Sequence, residues 1–192
     1  MRTISSTLDT EQKDTSIAAL YRVVLTYTGQ TTVTYSQTRI VKINHVEEAY
    51  HQEATITLNN SDKAITTDFN GYQGIISYGM TTGAGDEYSP TAPLFVVGQE
   101  YHSSRGELLV ILTLKGLPDL LAEDKANAPY KQNTGDGRTL KDLIVEIVNA
   151  TLPSFDHCVA YTATWDSEDS LVDVFIPADA FSIGLNTTRL EA

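Results

Sequence analysis

Between Glu53 and Asn59 apolar and polar residues alternate without a break: Ala54, Ile56 and Leu58 fall on one side, Thr55 and Thr57 on the other. A period of two is the signature of a strand with one buried face. Ala54, Ile56 and Leu58 are therefore expected in the core, and Thr55 and Thr57 toward solvent or a neighbouring subunit. Strand-like segments recur on both sides. Arg22–Tyr27 is the first, Thr28–Gln30 reads as a turn, and Thr31–Tyr35 reads as a second strand or the far side of a hairpin. Ile40–Ile43 continues the pattern, and Gly74–Gly79 is a further strand. Leu94–Val97 and Leu108–Leu114 are apolar at consecutive positions, as in strands covered on both faces. The separators are turn material: Asn59-Asn-Ser-Asp62, Gly83-Ala-Gly-Asp86 and Ser103-Ser-Arg-Gly106. In the first of these, short polar side chains can bond to local backbone. Met80–Pro93 reads as one long loop, with two glycines that permit tight turns and two prolines that restrict the chain. Tyr101–Gly106 reads as a hairpin loop, and residues 1–15 as an unpatterned N-terminal arm.

The period changes after Gly116. Pro118 near a first helical position, with Asp119 in the first turn, predicts a short helix toward Lys125. Asn127–Gly137 reads as a linker. Thr139 then suits an N-cap, with Asp142 three residues on in a capping-box pattern. Leu140, Leu143, Ile144, Ile147 and Val148 give an apolar helical face that runs to about Ala150. His157–Thr162 and Leu171–Ile176 read as strands around the acidic turn Asp166–Asp169, and Pro177 closes the second. Thr187–Ala192 reads as a helix cap with its first turn, which leads us to expect the N-terminal part of a longer protein. The fold class is mainly β with some α (α+β). The expected layout is an arm over 1–15, a β domain over 16–116, a short helix and linker over 117–138, and an incomplete helix–strand module over 139–192.

Size and composition are those of a globular chain. It has 192 residues, of which 41% are hydrophobic, and ten tyrosines against five phenylalanines. Tyrosine and threonine suit a half-buried pleated surface. The net charge of -12 changes the picture more. Residues 1–53 hold six acidic and five basic groups, whereas residues 54–192 hold nineteen and eight. Such a field opposes direct nucleic-acid binding and adhesion to anionic membranes. It permits a basic partner or metal ions, and an acidic wall would let a polyanion pass without sticking. No apolar run approaches the length of a membrane-spanning helix, and the N-terminus has no apolar signal-peptide core.

Candidate chemistry is sparse. Cys158 is the sole cysteine and has no intrachain partner for a disulfide. His157 beside it would point to the opposite face of a strand, so the two make a poor catalytic dyad and a buried structural thiol is the simpler account. His45 and His51 flank Glu47 and Glu48, which pictures a metal site only if a loop folds the four together; surface or interface histidines are the simpler account. His102 beside Tyr101 could touch a ligand. Asp62, Asp68, Asp86 and Glu87 sit in or near turns, where sequence shows no convergence into an acid/base pair. Asp166–Asp169 lacks the spacing and glycine of an EF-hand loop. Gly71–Gly74 and Gly83–Gly85 do not open a phosphate-cradling helix, and no nucleophile elbow is present. We expect no catalytic, cofactor-binding or metal-binding residues, and no enzyme activity.

The order of segments carries more. Ala54–Asp62 is followed by Tyr72–Gly79, a strand near Leu94–Gln99, Leu108–Gly116, a Thr/Asp/Gly-rich spacer and the helix Thr139–Val148. This order resembles the N-terminal half of the tail hub or tail-tip proteins of long-tailed bacteriophages, which are related to the baseplate hub of contractile tails. Asn60-Ser61-Asp62 matches that family's turn after a strand, and Asp173–Ile183 resembles the segment of the second hub domain before its next helix. The resemblance spans roughly residues 20–190. It implies a closed or nearly closed β-barrel like the tail-tube subunit, followed by the smaller module. It further implies assembly in a ring, commonly a trimer, that joins the tail tube to the distal puncturing or receptor-binding tip. The location would be the virion tail, assembled in the host cytoplasm, with the tail tube and other tail-tip proteins as partners and DNA passing an acidic lumen. Residues 80–93 would then be a contact arm. The alternative is a β-sandwich module that binds glycan or peptide, for which Tyr72, Tyr78, Tyr88 and Tyr101 would supply stacking rings.

Overall fold

The computed structural model describes residues 4–13, 19–104, 106–125, 130–131, 135–149, 173–176, 182–184, 186–188 and 191. The chain divides into two compact units, one built on residues up to Leu117 and one that begins at Pro118.

The first unit is one antiparallel sheet. Its strands are β1 (Ala19–Thr26), β2 (Val33–Ser36), β3 (Ile40–Glu48), β4 (His51–Asn59), β5 (Gln73–Thr82), β6 (Gly85–Pro90), β7 (Leu94–Ser104) and β8 (Glu107–Gly116). The order is β2-β1-β5-β7-β8-β4-β3, with β6 also paired to β5. Alternate residues of these strands meet in a single buried cluster: Val23 and Leu25, Ile76, Leu94 and Val96, Val110, Leu112 and Leu114, then Ala54, Ile56 and Leu58. In a flat sheet β1 and β4 would lie four strand spacings apart, about 19 Å. They share one core because the sheet curls over its apolar face. Tyr78 on β5 reaches His45 on β3, also four strands away, with 3.3 Å between Oη and Nδ1.

The expected barrel is corrected to a roll, because the sheet is not closed by a ladder. Its two end strands, β2 and β3, share only a tight turn in which Arg39 N donates to Ser36 O at 2.9 Å. β2 is four residues long, and a bulge at Val41 twists the start of β3 where it pairs with β4. Packing inside the roll is close. A methyl group added at Gly74 would meet a Leu114 methyl at 2.6 Å, and one at Gly79 would meet the Glu87 carbonyl at 1.9 Å.

Three further expectations in this unit change. The N-terminal arm contains α1 (Ser6–Glu11), whose N-cap Ser5 accepts from Leu8 N at 3.0 Å. Leu8 is 2% exposed, and a single anchoring residue leaves no period to read. The loop over 80–93 is the end of β5 and all of β6, because its polar side chains are satisfied within the hairpin. Thr82 Oγ1 donates to Gly85 O at 2.9 Å, and Thr91 Oγ1 donates to Ile76 O at 3.0 Å. The hairpin loop expected over 101–106 shrinks to a turn, since β7 runs to Ser104 opposite Glu107.

In the second unit, α2 (Leu117–Glu123) and α3 (Leu140–Asn149) fall where predicted. The capping box at α3 is reciprocal: Thr139 N donates to Asp142 Oδ2 at 3.0 Å, and Asp142 N donates to Thr139 Oγ1 at 3.2 Å. The Thr139 N bond, followed by a bond that Thr139 Oγ1 donates to Asp142 Oδ2 at 2.8 Å, holds the Asp142 carboxyl below its ordinary pKa. The two-residue strands β9 (Tyr130–Lys131) and β10 (Ser182–Ile183) pair antiparallel. Thr188 and Glu191 form a second reciprocal box. The strand expected over 171–176 is not one in its described part: Asp173 and Val174 are helical, Phe175 and Ile176 are irregular, and all four are exposed. Lys141 Nζ pairs with Asp173 at 2.7 Å, and Leu140 N donates to Phe175 O at 2.9 Å. The strand over 157–162 and the turn over 166–169 lie outside the described residues.

Residues 65–72 act as a wedge under the roll, with Ile65, Phe69 and Tyr72 in the core. Phe69 packs edge-on to Tyr72 and Tyr35, with centroids 5.2 and 6.1 Å apart. Phe69→Ala should cost about 3–5 kcal/mol in urea unfolding. Val41→Ala, on the exposed bulge, should stay within about 0.5 kcal/mol.

Candidate functional site

The richest set of polar interactions lies where β4 ends. Asn59, Asn60, Ser61 and Asp62 form the turn that the sequence signals, and each side chain has its own role. Asn59 Oδ1 accepts from Ser61 N and Oγ at 2.9 and 2.7 Å, a local turn of the kind short amides make. Asn60 is 2% exposed. Its amide clamps Ile65 from both sides, accepting from Ile65 N at 2.8 Å and donating to Ile65 O at 3.1 Å. Gln99 on β7 does the same farther along, accepting from Phe69 N at 2.7 Å and donating to Thr67 O at 2.9 Å. These two carboxamides satisfy the backbone of a loop that has no ladder of its own over these residues.

Asp62 ties this turn to the one between β2 and β3. Arg39 holds it through both guanidinium arms, Nη1 to Oδ1 at 2.8 Å and Nη2 to Oδ2 at 2.6 Å, and Nη1 also donates to Asn59 O at 3.1 Å. A fork of this shape is the strong form of the pair. The Arg39 bonds, followed by the bond from Ala64 N, hold the Asp62 carboxyl well below the usual carboxylate range. The bond to Asp62 in turn raises Arg39. Thr38, Arg39, Asn59, Ser61 and Asp62 line a cleft of about 380 Å³. Tyr35, whose phenol is raised chiefly by burial, lies within electrostatic range of Arg39, Tyr101 and Asp62. Tyr101 is 53% exposed, and Gln99 Nε2 donates to its hydroxyl at 2.9 Å.

The other residues singled out by sequence do not gather. His45 and Tyr78 stack inside the roll, while His51, Glu47 and Glu48 belong to the β3–β4 hairpin. Among the described residues no group of three His, Cys, Asp or Glu side chains is placed to hold a metal ion. Asp68 accepts from Asn70 N and Nδ2 at 3.0 and 2.7 Å within its own turn. Asp86 accepts from Thr81 Oγ1 at 2.8 Å. Glu87, next along β6 and so on the opposite face, accepts from Thr82 Oγ1 at 3.1 Å and from Ser5 Oγ. His102 is exposed on the separate β7–β8 hairpin. His157, Cys158 and Asp166–Asp169 lie outside the described residues.

The four tyrosines expected as one stacking groove are divided. Tyr72 is in the core, Tyr78 faces His45, and Tyr88 lies under the Arg22 guanidinium at 4.0 Å. Of the four, Tyr101 is the exposed one. Sequence reasoning missed the roles of Asn60, Gln99 and Arg39. Only the asparagine-rich turn signalled any of them, because the partners lie 23 residues apart for Arg39 and 30 for Gln99.

No protein-family model matches the chain, and no curated protein matches it. Some solved structures are loosely similar. The tail protein from Neisseria meningitidis MC58 is 13% identical, with a TM-score of 0.42 over 66% of this chain and 32% of that one. The lidded Francisella PdpA–VgrG complex is 13% identical, with a TM-score of 0.47 over 71% of this chain and 21% of that one. The 43 kDa tail protein of prophage MuSo2 from Shewanella oneidensis is 16% identical, with a TM-score of 0.33 over 67% of this chain and 38% of that one. The chain thus matches less than two fifths of the length of each, at a level of likeness that does not by itself fix a shared fold or role.

Two measurements test the turn. Asn60→Ala leaves the Ile65 backbone groups buried and unsatisfied, and should cost about 1–3 kcal/mol in urea unfolding. Asp62→Asn should lower the urea midpoint at neutral pH. Because the folded carboxyl titrates below its unfolded value, the stabilisation is full above the unfolded pKa and fades as pH falls through it toward the folded one. The gap between wild type and Asp62→Asn should therefore be constant above about pH 5 and narrow below about pH 4.

Proposed function

We propose that the chain is a structural subunit of a phage-type tail, assembling into a ring at the tail tip that joins the tube to the distal puncturing or receptor-binding tip. The observation that carries this reading is the roll itself: a single curled antiparallel sheet that ends in two different terminal strands, β2 and β3, with no ladder between them. A terminal strand presents a row of backbone donors and acceptors that can pair with another chain. Pairing of β2 of one copy with β3 of the next is heterologous, and heterologous contacts form rings when the rotation closes. The order of segments resembles the tail-hub family, whose rings are commonly trimers.

In this proposal residues 16–116 form the tube-like module, and residues 139–192 belong to the second, helix-containing module. The net charge of -12 suits a wall that DNA slides past without adhering. The role is one of scaffold and not of catalyst, with the tail tube and other tip proteins as partners in the virion.

Light scattering on the purified chain and electron microscopy of the tail test this. The expected result is a ring-sized oligomer, with wild-type chains seated next to one another around the tail axis. Val46 is 37% exposed on β3. Val46→Lys should shift the oligomer toward monomer while the melting temperature stays within a few degrees, since exposed positions away from the core change stability by about 0.5 kcal/mol or less. A wild-type chain that stays monomeric at high concentration and is absent from the tail would sink the proposal.

A further inference from the structure

We propose that the cleft between the β2–β3 turn and the end of β4 binds a neutral oligosaccharide, with Tyr101 at the same end of the roll as a stacking platform. Three observations carry this. The first is size: about 380 Å³ falls in the lower part of the range of small-ligand sites, which starts near 300 Å³.

The second is charge. Among the described residues every lining side chain is polar, and the ionic groups among these, Arg39 and Asp62, neutralise each other through a two-armed contact. An anion entering the cleft would meet a guanidinium already occupied, on a chain whose net charge is -12. A cation would meet a carboxylate already paired. A neutral ligand with adjacent hydroxyls meets neither conflict. It finds remaining acceptor capacity on Asp62 Oδ2, since Oδ1 is taken up by Arg39 and Ala64 N, donor capacity on Asn59 Nδ2, and the Thr38 hydroxyl, which shares one bond with Ser36 Oγ at 3.1 Å and has capacity for another. Asn59 Oδ1 is taken up by Ser61, so the Asn59 amide offers mainly its donor end.

The third is the ring. Tyr101 is half exposed, and its hydroxyl is held by Gln99, itself locked onto the loop backbone at Thr67 and Phe69. A fixed aromatic face beside paired donors and acceptors suits the alternating C–H and O–H faces of a sugar, and an ordered ring loses little entropy on binding. Strand register places the ring at this end of the roll: Tyr101 pairs with Val110 on one side of β8, and Asn59 pairs with the adjacent Leu109 on the other. This site does not depend on ring assembly: a monomer would carry it equally.

The test is a titration of the isotope-labelled chain with maltotriose, cellotriose and tri-N-acetylchitotriose, followed by amide NMR shifts. For at least one sugar, shifts should centre on Thr38, Arg39, Asn59–Asp62 and Tyr101, with Kd near or below about 1 mM. Tyr101→Ala, a change at an exposed side chain, should weaken binding about ten-fold while the amide spectrum of the core is kept. The proposal is overturned if none of the three sugars shifts these resonances, if the shifts lie elsewhere, if Tyr101→Ala binds as well as wild type, or if sulfate moves the same resonances more strongly than any sugar. Monomer or ring in the same sample leaves each of these outcomes readable.

Discussion

The first unit depends on one constraint: the broad apolar face that carries Val23, Ile76, Leu112 and Ile56 must be buried, and the sheet buries it against itself. Strands four spacings apart, β1 and β4, can share a core only if the sheet curls. Curling opens a gap where β7 parts from β5, because those two strands pair only at Gln73–Gly74 with Leu94–Phe95. Residues 65–72 fill that gap. Gly71 N donates to Val96 O at 2.8 Å and Val96 N donates to Tyr72 O at 2.9 Å, so the wedge borrows the free edge of β7. Filling it with Ile65, Phe69 and Tyr72 buries apolar area, but it also brings irregular backbone close to the core, where unpaired amides are costly. The Asn60 and Gln99 side chains resolve that conflict, because a carboxamide offers the same donor and acceptor pair as a peptide.

What could be read from sequence follows from this. Period-two alternation is local, so Ala54, Ile56 and Leu58 were legible as core residues, and they are buried. Cap chemistry is local too, so Thr139 and Asp142 were legible as a box. Curl is not local. Nothing in Leu94–Val97 or Leu108–Leu114 distinguishes a closed barrel from an open roll, since both bury the same residues. The 80–93 segment was misread for a related reason. Its Thr, Gly and Pro residues are loop-like by composition, yet Thr82 and Thr91 bond back to carbonyls 3 and 15 residues away. Strand character there is made by satisfaction of polar groups and not by an apolar pattern.

The candidate site was half legible for the same reason. The asparagine-rich turn announced itself, because its bonds span two to five residues. Arg39 did not, because it reaches Asp62 across 23 residues of intervening hairpin. Before the fold is known, Asp62 is one acidic side chain among 25. Once the β2–β3 turn is beside the end of β4, it becomes half of a fork.

The fork also explains how a polar cleft can sit on so acidic a chain without becoming a cation site. A lone carboxylate at Asp62 would draw counterions, and a lone guanidinium at Arg39 would draw phosphate. Joined through two bonds, they spend their strongest directions on each other. What they leave to a ligand is weaker, neutral hydrogen-bonding capacity in a fixed geometry. That geometry is set by the same turn that releases the wedge into the core, since Asn60 anchors Ile65 while its neighbour Asp62 holds Arg39. Stability of the roll and shape of the cleft are thus two consequences of one four-residue turn. A substitution that loosens the turn is therefore expected to affect both, whereas a change at Tyr101 touches the outer surface alone.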